Sequence, residues 1–166
     1  MKRKLIGTVA VDSGQLLIID PCYISSEWKE GEEVKAIDFW GEGEEDVFQT
    51  LKQKGYHIER INGAYRIHNT DFDKVSNEIY ELSAKINKTV VVNPYTGSTY
   101  DKICDLTMSE DEGGQLNFEY GGEGLGVAVG TGADGYYNVY AIYQEIEGLG
   151  EILTKIEIEL FNENDD

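Results

Sequence analysis

Basic residues, cysteine, histidine and long apolar runs are all scarce in this 166-residue chain, and each shortage closes off a class of function. Only 14 Lys and Arg stand against 32 Asp and Glu, which leaves a formal charge of −18. Proteins that bind nucleic acid draw the phosphates in with Lys and Arg and release counterions, so direct DNA or RNA binding is not expected. Two cysteines, Cys22 and Cys104, sit in apolar stretches with no C-x-x-C pair and no histidine at ligand spacing. A zinc site or a disulfide framework is therefore not expected, and a reducing compartment, the cytoplasm, is the simpler setting. No stretch approaches the roughly 18 apolar residues of a membrane span, so no membrane association is expected. The apolar run Leu5–Val11 is seven residues long and has no cleavage site after it, so it reads as a first strand rather than a signal peptide.

What the chain has in excess is acid, glycine and tyrosine. Acidic patches lie at Glu42–Asp46, Ser109–Glu112 and Asn162–Asp166. They suit a solvated surface, or a surface that occupies a basic partner. The last third alternates glycine turns with tyrosine-rich strands and contains a literal G-x-G-x-x-G from Gly130 to Gly135. In a phosphate-binding fold those glycines open a helix, but here Tyr136–Tyr143 follows, rich in aromatics and poor in helix formers. The segment therefore reads as a turn entering a strand, with Gly132 or Gly135 at positive φ. No nucleotide-binding fold of the Rossmann or P-loop kind is expected.

Periodicity predicts an α+β domain dominated by β structure over residues 1–166, with a short acidic tail from about 162. Its sheets are expected to be mostly antiparallel, with one long amphipathic helix over about 71–86 and one short helix over 44–54. Leu5–Val11 and Leu16–Asp20 flank the turn residues Asp12–Gln15 and predict an opening hairpin. Asn62-Gly63 predicts a second, between 56–61 and 64–68. Further strands are expected at 34–40, 89–92 (ended by Pro94), 116–120, 126–129, 136–144 and 152–161. In the last of these, Ile156, Ile158 and Leu160 alternate with charged residues, so one face should be buried.

Val11-Asp12-Ser13-Gly14-Gln15, Ile19-Asp20-Pro21-Cys22-Tyr23 and a Gly-x-Gly-Asp-Gly-x-Tyr-like element at 130–137 carry a resemblance to a group of small bacterial and phage β-rich proteins of unknown function. Ala133 is an extra residue within that last element. The resemblance implies a bacterial or phage source and a β-rich fold. For a phage-borne protein it suggests sequestration of a host signalling nucleotide.

Tyr136, Tyr137, Tyr140 and Tyr143, beside the turn of Gly132, Asp134 and Gly135 and with Tyr23, Trp28 and Asp20 from the N-terminal element, are the candidate wall for a flat ring. Arg60, Arg66 and Lys102 are the candidate cations for its phosphates. His57 and His68 face each other across the Asn62-Gly63 hairpin but lack a third ligand, so no metal is expected. An EF-hand loop laid over 109–120 finds Tyr120 where glutamate is needed. No nucleophile elbow surrounds Ser13, Cys22 or Cys104. The expected function is non-enzymatic binding of a nucleotide-like small molecule, without a cofactor. The alternatives are an acidic inhibitor of a basic protein and a hydrolase using Asp12, Asp20 and Asp134. A homo-oligomer stays open.

Overall fold

The computed structural model of the protein describes residues 1–68 and 70–160. The predicted strand end at Phe161 and the acidic tail lie outside the described residues. In chain order the elements are β1 (Lys2–Val11), β2 (Gln15–Ile19), α1 (Pro21–Glu27), β3 (Ala36–Trp40), α2 (Glu44–Gln53), β4 (Ile58–Ile61) and β5 (Ala64–His68). They continue as α3 (Phe72–Ile86), β6 (Val91–Tyr95), α4 (Thr99–Thr107), β7 (Gly113–Leu116), β8 (Gly126–Gly130), β9 (Gly135–Ile146) and β10 (Gly150–Ile158). This is a β-dominated α+β fold with antiparallel sheets, as the periodicity predicts. The contacts gather into two units: Met1–Leu16 with the described residues from Gly130, and Leu17–Val129.

The larger unit is built on the four-stranded sheet β4-β5-β3-β6. Asn62 and Gly63, at φ 44° and 86°, close the β4–β5 hairpin with the left-handed pair that its two-residue turn needs. Strand alternation then sends Ile37, Phe39, Tyr65 and Ile67 to one face, where they meet Val47 and Leu51 of α2 and Val75 and Ile79 of α3. Phe39 and Phe48 stack on Tyr65 at centroid distances of 5.4 and 4.4 Å. The predicted helices 44–54 and 71–86 are present, and the apolar stripe of the longer one covers the sheet as expected. Pro94 does not end its strand: it pairs with Ile37 inside β6. It is tolerated there because β6 is an edge strand, where a missing N–H breaks no ladder on the open side.

Four helices form among the described residues where two were predicted. In α1, Asp20 caps the helix by accepting from the Cys22 N–H at 2.9 Å, and Pro21 opens it. Pro21, which follows the strand predicted at Leu16–Asp20, is here the first helical residue, where its missing N–H costs nothing. In α4, Ser98 and Asp101 form a reciprocal capping box. A second sheet, β2-β8-β7, packs Leu17, Ile19, Leu116, Leu125 and Ala128 against Ile103 and Leu106 of α4. The strand predicted at 116–120 runs at Gly113–Leu116 instead.

The smaller unit is the sheet β1-β9-β10. The opening hairpin is not formed, because β1 pairs with β9 while β2 pairs with β8. Its turn residues bond to another turn: the Gly14 N–H donates to Asp134 Oδ1 at 2.8 Å, and the Thr131 N–H donates to the Gly14 carbonyl at 2.8 Å. Gly132 takes φ 75°, as the glycine turn predicts, and the chain then runs straight into β9. The buried face predicted for the last strand is not found, since Ile156 stays 49% exposed.

Candidate functional site

The second face of the four-stranded sheet carries chemistry. Because Ile37, Phe39, Tyr65 and Ile67 point to the core, the intervening Asp38, Trp40, Ala64, Arg66, Asn93 and Tyr95 lie on the opposite side. There the Arg66 guanidinium forks onto Asp38, with Nε to Oδ1 at 2.6 Å and Nη2 to Oδ2 at 2.7 Å. It also reaches Asp105 of α4, from Nη2 to Oδ1 at 2.9 Å and from Nη1 to Oδ2 at 3.2 Å. Its Cζ lies over the Tyr95 ring, 3.5 Å from the ring centre. Burial alone would lower the pKa of Arg66, but the two carboxylates outweigh it and hold the guanidinium charged above its ordinary range.

Helix α4 joins this face to the second sheet. Ile103 and Leu106 turn into the apolar cluster with β2, β7 and β8. Tyr100, Asp101, Cys104, Asp105 and Met108 recur at the spacing of a second helical face. With Asp38, Trp40, Ala64, Asn93 and Tyr95 they line a cavity of about 270 Å³. Trp40, Tyr100 and Met108 remain exposed at it, while Asp38 is buried. The Asp101 carboxylate accepts from Thr96 N and Oγ1 at 2.8 and 2.6 Å and from Ser98 N at 3.2 Å. Burial would raise its pKa; these donors lower it below the usual carboxylate value. Burial pushes the Tyr95 phenol up, and the charge of Asp105 adds to that. Two other depressions exist in this unit. One is polar, lined by Lys29, Glu30 and Lys35; the other, between α4 and β7, is broader and open, with Leu106, Leu116 and Phe118. Neither gathers several aromatic rings with carboxylates.

The residues singled out from sequence are distributed between the two units. In the smaller unit the pleat of β9 divides the tyrosines, placing Tyr136 and Tyr140 on one face and Tyr137 and Tyr143 on the other. Tyr136 is 82% exposed. Tyr140 lies beneath Arg3, at 3.3 Å, and Arg3 in turn pairs with Glu157 and Glu159. The Tyr137 hydroxyl donates to the Ala133 carbonyl at 2.6 Å. Asp134 accepts from Gly14, and Gly132 and Gly135 shape the turn and the start of β9. Asp12 lies in the turn after β1.

In the larger unit Asp20 caps α1, and Tyr23 meets Phe118 edge-on at 5.1 Å. Trp28 donates to Glu30. Arg60 pairs with Glu44 and lies over Tyr65, and Lys102 pairs with Glu119. His68 bonds Glu59. Among the described residues no three His, Cys, Asp or Glu side chains gather to hold a metal ion. No described helix is long and apolar enough to cross a membrane.

Of the residues weighed from sequence, Cys104 lines the cavity, and Arg66 bonds two of its lining carboxylates, Asp38 and Asp105. The rest of the lining was missed. Its signals were Asp38 between two apolar strand residues and the capping pattern Ser98-x-x-Asp101 ahead of Tyr100, Cys104 and Asp105. No family model, no curated protein and no solved structure matches this chain.

Proposed function

We propose that the chain is a non-enzymatic binding protein that acts by occupancy, and that its ligand is a small flat molecule, nucleotide-like in its ring, held between α4 and the four-stranded sheet. The observation that carries this is the convergence of Trp40, Tyr95 and Tyr100 with Asn93 and buried Asp38 on one cavity. Aromatic walls with a few placed polar groups are the usual make-up of a small-molecule site. At about 270 Å³ the cavity falls just under the roughly 300–1,000 Å³ of drug-sized sites, which suits one ring rather than a whole nucleotide. Its lining includes no Lys, Arg or His, so a phosphate would find no counter-charge there. A cytoplasmic setting is part of the proposal, since the exposed Cys22 is a thiol.

The test is a melting scan with nucleobases, nucleosides and nucleotides. A ligand at a hundred times its Kd adds about 2.7 kcal/mol, which for this size raises Tm by about 5–11 °C. Nucleosides should shift the melt more than their phosphates do, and Trp40→Ala should abolish the shift where Tyr136→Ala does not. No shift with any of them refutes the nucleotide-like ring as the ligand, and a shift that Trp40→Ala leaves intact refutes the cavity as the site. The net charge of −18 favours one second reading, an acidic inhibitor that occupies a basic protein. Its binding should collapse with added salt, whereas binding in the cavity should lose little.

A further inference from the structure

We infer that the cavity between α4 and the four-stranded sheet selects a planar cation, a guanidinium group, from either a small molecule or an arginine side chain of a protein. The inference rests on the cavity being a binding site and adds the class of its ligand.

Three carboxylates, those of Asp38, Asp101 and Asp105, line the cavity. One guanidinium, Arg66, bridges two of them from outside the lining. Two negative charges are left unbalanced among aromatic rings, where a neutral ring leaves them unanswered and an anion is repelled. Asp105 is more reachable than Asp38, its side chain being 25% exposed against 10%. Trp40 and Tyr100, both exposed at the cavity, offer the ring faces on which cations settle.

Arg66 already displays the mode within the same wall, with its Cζ 3.5 Å from the Tyr95 centroid and its N–H groups forked onto carboxylates. A second guanidinium on Asp105, between Trp40 and Tyr100, repeats those two interactions. A lysine ammonium supplies the charge without the plane or the fork. The volume of about 270 Å³ holds a side-chain-sized group and leaves the rest of its carrier outside. An arginine displayed on a basic protein therefore fits as well as a free molecule does.

The experiment is calorimetric titration of the full chain at two salt concentrations with arginine amide, citrulline amide, lysine amide and guanosine. Citrulline keeps the shape and plane of arginine and removes the charge. Arginine amide should bind at least about tenfold more tightly than citrulline amide, the worth of making a hydrogen bond to a charged partner. It should also bind more tightly than lysine amide, and its binding should survive raised salt. Trp40→Ala should weaken it about tenfold. Tyr100→Ala is the second variant, should the first not fold.

An arginine with both ends blocked by peptide separates the sources. Retained affinity assigns the site to a protein partner, and lost affinity assigns it to a free small molecule. Equal binding of arginine and citrulline amides, or binding untouched by both Trp40→Ala and Tyr100→Ala, overturns the inference. Guanosine binding without arginine overturns the cation while leaving the cavity as the site; binding by neither overturns both.

Discussion

Replacing Arg66 by alanine tests the buried polar face directly. Its side chain is 6% exposed and makes four hydrogen bonds of 2.6–3.2 Å, two to each of Asp38 and Asp105. Truncation leaves the carboxylate of Asp38, only 10% exposed, without a partner beneath a packed sheet. Removing one member of a buried ion pair costs about 3–5 kcal/mol, chiefly because the remaining charge is stranded. At about 2–4 °C per kcal/mol for a chain of this size, Tm should fall by about 6–20 °C. Asp38→Asn should cost a comparable amount, and Asp105→Asn less, since water reaches that carboxylate. Arg66→Lys should not restore stability, because an ammonium cannot fork onto two carboxylates. The double variant Arg66→Met, Asp38→Leu should recover most of the loss, as neither charge is then stranded. Urea unfolding of the five variants measures each value. Additive losses in the double variant, or a loss under about 1 kcal/mol in Arg66→Ala, would refute the reasoning.

Phe39→Ala should cost about 3–5 kcal/mol in the same assay, because Phe39 is fully buried between sheet and helices. Ser98→Ala should cost about 1 kcal/mol by opening the α4 capping box, and should weaken ligand binding as well, since α4 supplies Tyr100, Asp101, Cys104 and Asp105 to the cavity's lining. Gly132→Val, at φ 75°, should cost about 1–2 kcal/mol and leave ligand binding unchanged. Asp101 and Glu78 have lowered pKa values: burial opposes the shift in Asp101 but Thr96 and Ser98 overcome it, and in Glu78 the hydrogen bond from Lys54 dominates. A carboxylate lowered on folding adds stability that is complete above its unfolded value, about 4, and is lost as pH falls through the folded value. Tm should therefore fall steeply below about pH 4, and Asp101→Asn should make that fall shallower.

Local rules made much of the fold legible. Asn62-Gly63 admits essentially one turn, and the 3.6-residue spacing of Val75, Ile79, Leu82 and Ile86 admits one structure over 72–86. The glycine segment at 130–135 was readable as a turn because tyrosines, not helix formers, follow it. Pairing was not legible. Asp12–Gln15 has the composition of a hairpin turn, yet its backbone is claimed by Thr131 and by Asp134, the latter 120 residues downstream of Gly14, and nothing local records that. Proline in two roles misled in the same way: Pro21 opens a helix, and Pro94 sits within an edge strand. The tyrosines of β9 fall on both of its faces, because a period of two sends adjacent residues to opposite sides, and composition alone does not record which face each one takes. The cavity escaped notice because it joins residues 38–40, 64, 93–95 and 100–108, which share no motif. A charged residue between two core residues of a strand was one local trace, since burying Asp38 demands a partner such as Arg66, and the capping pattern Ser98-x-x-Asp101 was another.

The most direct test of where this protein binds is amide and side-chain chemical-shift mapping by NMR as arginine amide or guanosine is titrated in. Saturable shifts at the Trp40 indole, the Asn93 side-chain amide and the backbone of Tyr100–Asp105, with Tyr136 and Tyr140 unmoved, are the predicted result. Shifts gathered on Gly132–Tyr140 while Trp40 and Asn93 stay still would contradict it and return the site to the tyrosine strand.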